Sequence, residues 1–476
     1  MSSNQASDRA VNHAGLAVQP GASESSPAGA SRLRWLDQEQ NQVQKPLIPD
    51  ASDVPDLVCL SHLRWDFVYQ RPQHLLSRCA QGRRTFFVEE PIAEFTDSWW
   101  LEISQRECGV WVVVPHVPEF VNDELMAAMQ RSLLDELFAE AKIVSPVLWY
   151  YTPMALSFSE HLSASAVVYD CMDELSAFRG APPALQLLER KLFERADVVF
   201  TGGHSLYEAK QNQHANVHAF PSSIEVAHFA QARTLTADPA DQADIPHPRL
   251  GFYGVIDERM DLNLLDGIAA ARPDWHLVII GPVVKIDPDS LPRRPNIHYL
   301  GGKSYQELPH YLAGWDLALL PFALNESTRF ISPTKTPEYL AAGKPVVSTS
   351  IRDVVRPYGQ QNLVAIADTA EEFVVAAERL MASAAADTQW RQQVDAFLAN
   401  TSWDKTWAQM NGLIEQAIGG RASRSPAEAA EALREDVATA TQRRQRPQPA
   451  TSVAAATARR PSPVAPAAKL SQSKVS

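Results

Sequence analysis

Between about residue 53 and residue 419, short apolar runs alternate with stretches of helical period. The first series is DLVCLS (56–61), TFFVEE (85–90), VWVVV (110–114), VLWYY (147–151), AVVYD (166–170), DVVFT (197–201) and VHAF (217–220). The second is LGFYG (250–254), HLVIIG (276–281), IHYLG (297–301), DLALLP (316–321), PVVST (345–349) and LVAIA (363–367). Continuous apolar runs bounded by turn residues suit strands buried on both faces of a parallel sheet. With helical stretches between most of them, this is βαβ punctuation, given twice. The pattern predicts an α/β protein of two doubly wound, Rossmann-like domains, over 53–225 and 249–400, facing a central cleft. An Ala/Asp/Pro-rich segment, 226–248, reads as a linker. A helix over 401–419 is expected to pack back toward the first domain. Ligands of such sheets bind beyond the carboxyl ends of the strands.

Outside that region the pattern stops. Residues 1–52 and 420–476 are rich in Ser, Ala, Gln and Pro, show no periodicity and are expected to be disordered tails, with room for one short amphipathic helix near Pro426–Ala440. No internal repeat of solenoid length is present.

Composition narrows the function classes. The chain has 476 residues, 45% hydrophobic and 21% charged, enough for two to three domains with a sizeable core. The four cysteines, Cys59, Cys79, Cys108 and Cys171, form no C-x-x-C pair, so neither a disulfide framework nor a zinc site is expected. A reducing cytosol fits. The first thirty residues contain no apolar signal core, and no apolar run approaches ~18 residues. The formal net charge is −13, with the positive charge gathered at the end: residues 421–476 carry ten Lys/Arg against four Asp/Glu. An acidic body argues against nucleic acid as a partner. The basic tail has the chemistry to touch anionic lipid, or simply to be solvated.

The most informative segment is ISPTKTPEYLAAGKPVVST (331–349). Thr336 suits a helix cap, Pro337 the first helical position and Glu338 the first turn. A start with Ser332 as cap and Pro333 first is the alternative, and leaves Pro337 deeper in the helix. Gly343 suits a left-handed cap and Pro345 opens the next strand. A helix N-terminus at a cleft is an anion site, Lys335 adds a positive charge, and Glu338 has the chemistry to accept from the vicinal hydroxyls of a ribose. The pattern fits a nucleoside diphosphate pocket. On local physics alone, an ordinary capped helix with a surface Lys and a dipole-favoured Glu is the plainer reading.

SPTKTPEYLAAGKPVVST resembles the donor-site signature of retaining GT-B glycosyltransferases (the family 4, group 1-like enzymes). FPSSIEVAHF (220–229) resembles the family's interdomain segment, and NIHYLGGKSYQELPHYLAGWDLALLPF (296–322) its strand–helix–strand before the donor site. RWDFVYQRPQHLLSR (64–78) and VVYDCMDELSAF (167–178) resemble a subgroup associated with bacterial cell-surface polysaccharide and galactofuranose. The resemblance covers about residues 56–418. It implies a hexosyltransferase-type enzyme that moves a sugar from a nucleoside diphosphate sugar, UDP- or GDP-linked, to a polysaccharide or lipid-linked acceptor with retention. It implies no metal and no other cofactor, and a cytoplasmic protein, peripheral at most to the inner membrane. By position, Glu338 matches the ribose-binding glutamate and Lys335 the basic residue beside the diphosphate. Ser332, Thr334 and Thr336 stand with them, and Arg259 is the basic residue left in the loop GVIDERMD (254–261).

The chain departs from the family at several points. The first glutamate of the family's E-x7-E is replaced by Phe330. The loop after the first strand, HLRWDFVYQR, is bulky where the family is Gly-rich, and Asp170 stands near the point where the family often has a His. In the first domain Arg71 and His74, at the start of the first helix, are candidate phosphate or acceptor contacts. Asp170 and Asp173 are candidates to bind sugar hydroxyls or deprotonate the acceptor. Arg71 and His74 as a solvated and a packed residue, and Asp173 as a turn cap, are the plainer readings. Trp65, Trp149, Tyr150 and Tyr151 are candidate sugar platforms or simply core. GGKS (301–304) lacks the first Gly of a P-loop; Ser304 and Glu307 instead make a capping box. Asp287-Pro288-Asp289, a D-x-D in a Pro-rich loop, is a poor metal site. The departures leave two alternatives beside a transferase: a sugar-nucleotide epimerase or phosphorylase on the same scaffold, and a non-catalytic scaffold.

Overall fold

The computed structural model describes residues 31–36, 54–384 and 388–423. The remainder of both expected tails, with the helix near 426–440, lies outside the described residues. The first sheet comprises β1 (Leu33–Leu36), β2 (Leu57–Leu60), β3 (Thr85–Val88), β4 (Ile92–Glu94), β5 (Trp100–Gln105), β6 (Trp111–Pro118), β7 (Val147–Tyr150), β8 (Ala166–Cys171), β9 (Val198–Thr201) and β10 (Val217–Ala219). Their order is β1-β5-β6-β3-β2-β7-β8-β9-β10, with β4 pairing β6. The second sheet comprises β11 (Arg249–Tyr253), β12 (His276–Ile280), β13 (Ile297–Tyr299), β14 (Leu317–Leu320), β15 (Val346–Ser348) and β16 (Ala365–Ile366), in the order β13-β12-β11-β14-β15-β16. This is a GT-B architecture of two α/β domains, whose sheets are parallel apart from the β5–β6 pair.

All thirteen apolar runs form strands. Those at the sheet centres are buried on both faces, as β2, β7 and β14 are along their whole length. Three strands fall outside the runs. β5 pairs antiparallel with β6, and β1 adds in parallel to the outer edge of β5. β1 thus sits in the stretch expected to lack structure, held by Arg32 on Ser132 at 2.6 Å and by Trp35 Nε1 on Glu140 at 3.0 Å. β4 is a short strand beside β6.

The segment expected as a linker is a packed part of the second domain. Phe229, Ala232 and Ile245 join its core. Gln242, fully buried, accepts from Trp315 Nε1 at 2.9 Å and donates to the Tyr311 carbonyl. Arg249 pairs with Asp238 at 2.7 Å. The C-terminal helix, Trp403–Ala422, lays Trp403, Met410 and Ile414 against the first domain's Cys59, Trp149 and Phe200. Trp149, Tyr150 and Tyr151 are core residues, with no exposed face for a sugar. Among the described residues no helix is long and apolar enough to cross a membrane.

Candidate functional site

The second sheet reverses its winding between β11 and β14, the point where open α/β sheets leave a crevice. Two glycines end the strands there. Gly254 follows β11 with φ +138°, and Gly281 follows β12 with φ +142°. Both angles are costly for any residue with a Cβ. A Cβ on Gly281 would lie 1.8 Å from the Gly254 carbonyl oxygen, and one on Gly254 would lie 2.1 Å from Lys335 Cε. Glycine thus lets two strand ends and the Lys335 side chain share one small space.

The helix after β14 runs Lys335–Ala341. Thr334 holds its cap position without a side-chain hydrogen bond. The expected cap, Thr336, is fully buried, with its hydroxyl lacking a hydrogen-bond partner and its N–H donating to the Pro333 carbonyl at 3.2 Å. A donor contact from Thr336 is therefore corrected. The helix ends as expected: Gly343 has φ +74°, and Lys344 N–H reaches back to the Tyr339 carbonyl at 3.0 Å.

Glu338 is buried, and the Tyr253 hydroxyl donates to its carboxylate. Tyr253 N–H in turn donates to the Tyr339 hydroxyl at 3.0 Å, which locks the end of β11 to the helix. Burial pushes the Glu338 carboxyl up to about 7, against the stabilising Tyr253 hydrogen bond and the Lys335 charge. Burial brings the Lys335 ammonium down to about 8, opposed by Glu338 and assisted by Arg259. The two form one coupled acid–base unit in the crevice.

Around this unit the charges of both domains converge. Arg259 donates to Asp257 at 2.7 Å and lies over the Phe178 ring at 5.6 Å. Lys285, at a left-handed φ of +62°, lies over the same ring at 5.3 Å. Phe178 belongs to the first domain, so two cations of the second domain face one ring across the cleft. Asp173 stands near them. Burial raises its carboxyl, while Arg259, Arg71 and Lys285 pull it down and Asp257 pushes it up. Beside the unit opens a cavity of about 390 Å³, walled by Phe67, Tyr69, Tyr253, Pro282, Tyr305 and Leu308 among others.

Comparison with known proteins agrees with this layout. Residues 247–383, the second domain, match the family described as Glycosyl transferases group 1. The match is confined to the second domain. Across 271 residues the chain is 27% identical to the putative teichuronic acid biosynthesis glycosyltransferase TuaH of Bacillus subtilis (strain 168), spanning 52% of this chain and 67% of that one. Its fold is similar to sucrose-phosphate synthase of Thermosynechococcus elongatus, at TM-score 0.57 and 14% identity, over 77% of this chain and all of that one. It is also similar to the E. coli trehalose-6-phosphate protein bound with UDP-2-fluoro glucose, at TM-score 0.55 and 12% identity, over 75% and 98%. A third similar structure is Anabaena Alr3699/HepE in complex with UDP, at TM-score 0.52 and 11% identity, over 76% and 100%.

The second domain brings Lys335, Glu338 and Arg259 together, with Asp173 of the first domain opposite. Ser332 lies at the domain boundary, its carbonyl accepting from Ser222 at 3.2 Å and its Cβ 2.9 Å from where a Gly203 Cβ would be. Three of the first-domain candidates, Arg71, His74 and Asp170, are corrected. Arg71 and Asp170 are buried and bind each other through two bonds of 2.9 Å, and Arg71 also donates to the Phe220 carbonyl at 2.7 Å. Each consumes the other's charge, so neither meets phosphate or acceptor. His74 is buried, stacked on Trp403 at 4.6 Å, and closed to ligand. The expected helix N-terminal anion site is a helix of seven residues, so the positive charge here rests on Lys335 and Arg259. Sequence reasoning missed Tyr253, Gly254, Gly281, Lys285, Tyr69 and Tyr305. The two glycines that end the apolar runs 250–254 and 276–281 were the available signal. Among the described residues no three His, Cys, Asp or Glu side chains cluster as a metal site.

Proposed function

We propose that the chain transfers a sugar from a nucleoside diphosphate sugar, UDP- or GDP-linked, to a growing cell-surface polysaccharide or its lipid-linked precursor, with retention and without a metal. The observation that carries this reading is the Tyr253–Glu338–Lys335 unit at the strand switch of a group 1 domain, beside a cavity walled by both domains. Ionised Glu338 suits the two hydroxyls of a ribose. Lys335, with Arg259, suits the diphosphate, whose charge grows as it departs. The bond from the anomeric carbon to phosphate breaks with its electron pair leaving on the diphosphate. An acceptor hydroxyl oxygen bonds the same face of that carbon, and its proton passes to a carboxylate, the role this reading gives to Asp173, whose carboxyl is raised by burial. The relative named for teichuronic acid biosynthesis supports a cell-envelope polysaccharide as acceptor, and with it a site of action at the cytoplasmic face of the inner membrane.

A second reading rests on Phe330. Where the family resemblance places an acid, Phe330 packs against the first domain's core, as it would in a scaffold that has given up transfer. Thermal unfolding with UDP, GDP, ADP and TDP separates the readings, since a ligand of the folded state raises the melting temperature by mass action. The transferase reading expects one nucleotide to stabilise the wild type and to lose its effect in Glu338→Ala. No shift at millimolar nucleotide makes the scaffold reading the correct one.

A further inference from the structure

The nucleotide-sized cavity is closed on one side by the first domain, through a loop held at both ends. Trp65 N–H donates to Glu89 at 2.7 Å, Gln73 holds the Trp65 carbonyl at 2.6 Å, and Gln70 N–H donates to Gln73 at 3.0 Å. Between these anchors Phe67 and Tyr69 project, 53% and 42% exposed. Both line the cavity.

Tyr69 stacks on Tyr305 of the second domain, centroids 4.5 Å apart and planes 28° from parallel. His228 stacks on Tyr305 at 4.3 Å and 8°. Two rings at these distances cannot share one face, so both faces of Tyr305 are covered. Its phenol, raised by burial and by Glu338 and Glu225, stays protonated. His74 meets Tyr69 edge-on at 4.7 Å and is itself stacked on Trp403. The first helix, the C-terminal helix, the interdomain segment and both domains thereby fix one ring. A base entering the cavity has no free face of Tyr305 to use. The aromatic surfaces left to it on the first domain's side are Phe67 and Tyr69, and of the two Tyr69 is the one held in place by a stacked ring.

We propose that Tyr69, braced on Tyr305, is the first domain's wall of the donor pocket, a base-stacking surface that exists only when the domains are closed. The proposal rests on reading the cleft as a nucleotide pocket. It makes donor binding and domain closure one equilibrium, because the donor gains this contact in the closed state alone. The bulky loop HLRWDFVYQR, the chain's departure from a Gly-rich phosphate loop, thereby acquires a role: it recognises the base by stacking.

The test is calorimetric titration of UDP, GDP, ADP and TDP into wild type, Tyr69→Ala, Tyr69→Phe, Tyr69→Leu and Glu338→Ala, with the radius of gyration measured with and without the nucleotide that binds. An aromatic contact of ordinary strength gives a Kd rise of about two- to twelve-fold. That rise is expected in Tyr69→Ala and in Tyr69→Leu, which keeps apolar bulk without a ring. Tyr69→Phe stays within about twofold of wild type. Nucleotide should compact the wild type and Tyr69→Phe more than Tyr69→Ala. Should Tyr69→Ala unfold early, Tyr69→Leu carries the same comparison. Unchanged or tighter binding in both, with wild type binding and Glu338→Ala impaired, overturns the wall and makes Tyr69 a bystander or a plug, while the donor site stands. No binding to wild type removes the nucleotide pocket itself, and the wall with it.

Discussion

The hydroxyl of Tyr253, the last residue of β11, donates to the buried carboxylate of Glu338 in the helix after β14. Residues far apart in sequence are thereby joined across the switch point of the second sheet. The bond keeps the carboxyl from rising as far as burial alone would take it.

This pair sets a pH dependence. The Glu338 carboxyl is raised from an ordinary value of 4.5 to about 7, and the Lys335 ammonium is lowered to about 8. Nucleotide affinity should fall as pH drops through about 7, where Glu338 gains its proton, and again above about 8, where Lys335 loses its charge. Titrations across pH 5.5–9.5 should give a narrow bell. Tyr253→Phe should move its acid limb upward, since the lost bond favoured the ionised form. Stability of the unliganded protein runs the other way. The folded state holds the Glu338 proton more tightly than the unfolded state, so this contribution is present at low pH and lost as pH rises toward 7.

Gly254 should behave as part of the Lys335 site. A Cβ there would sit 2.1 Å from Lys335 Cε, at a φ that disfavours any side chain. Gly254→Ala should therefore reproduce much of the loss in Lys335→Ala, for which we expect transfer to fall by about 100-fold or more, as when one charge-stabilising donor is removed. The double variant should be little worse than Lys335→Ala. Full additivity of the two losses, measured as kcat/KM, would sink the coupling.

Arg71 and Asp170 should matter to stability. Their side chains are 3% and 0% exposed, so removing either leaves a buried charge alone, at a cost of about 3–5 kcal/mol. Arg71→Ala and Asp170→Ala should each unfold at markedly lower denaturant. Asp173→Asn should keep near-normal stability and lose transfer instead. Equal stability of all three variants would contradict this division.

A cross-domain latch closes the far side of the boundary. Asp353, buried in the second domain, accepts from Ser205 N–H of the first at 3.0 Å and from its hydroxyl, while Arg352 pairs with Glu208 at 2.6 Å. A Cβ on Gly203 would lie 2.2 Å from Asp353. Asp353→Ala and Gly203→Ala should both loosen closure, seen as a larger radius of gyration by X-ray scattering. Asp353→Ala should also cost about 1–3 kcal/mol, from the buried N–H left unpaired. An unchanged radius in both variants would show that closure does not depend on this contact.

The sequence by itself determined the apolar central strands of both sheets, the fold class and the donor-side helix. A strand buried on both faces must be apolar along its length, so its signal is local and readable. The helix stop at Gly343 was readable for the same reason, since one residue supplies the required backbone angle. Tertiary structure alone decided the rest. β1 and β5 were invisible because their burial comes from edge partners supplied by distant parts of the chain. Arg71 and Asp170, both seen as chemistry-bearing, are 99 positions apart, and no local pattern tells that one neutralises the other. Thr334 holds the cap position expected of Thr336, because where the helix begins is settled by how the preceding loop packs. Tyr253, Lys285, Tyr69 and Tyr305 carry ordinary strand and loop signals. They become a site because the loops at the strand ends of two domains are brought to one cleft, and a charge or ring acquires its chemistry from what faces it.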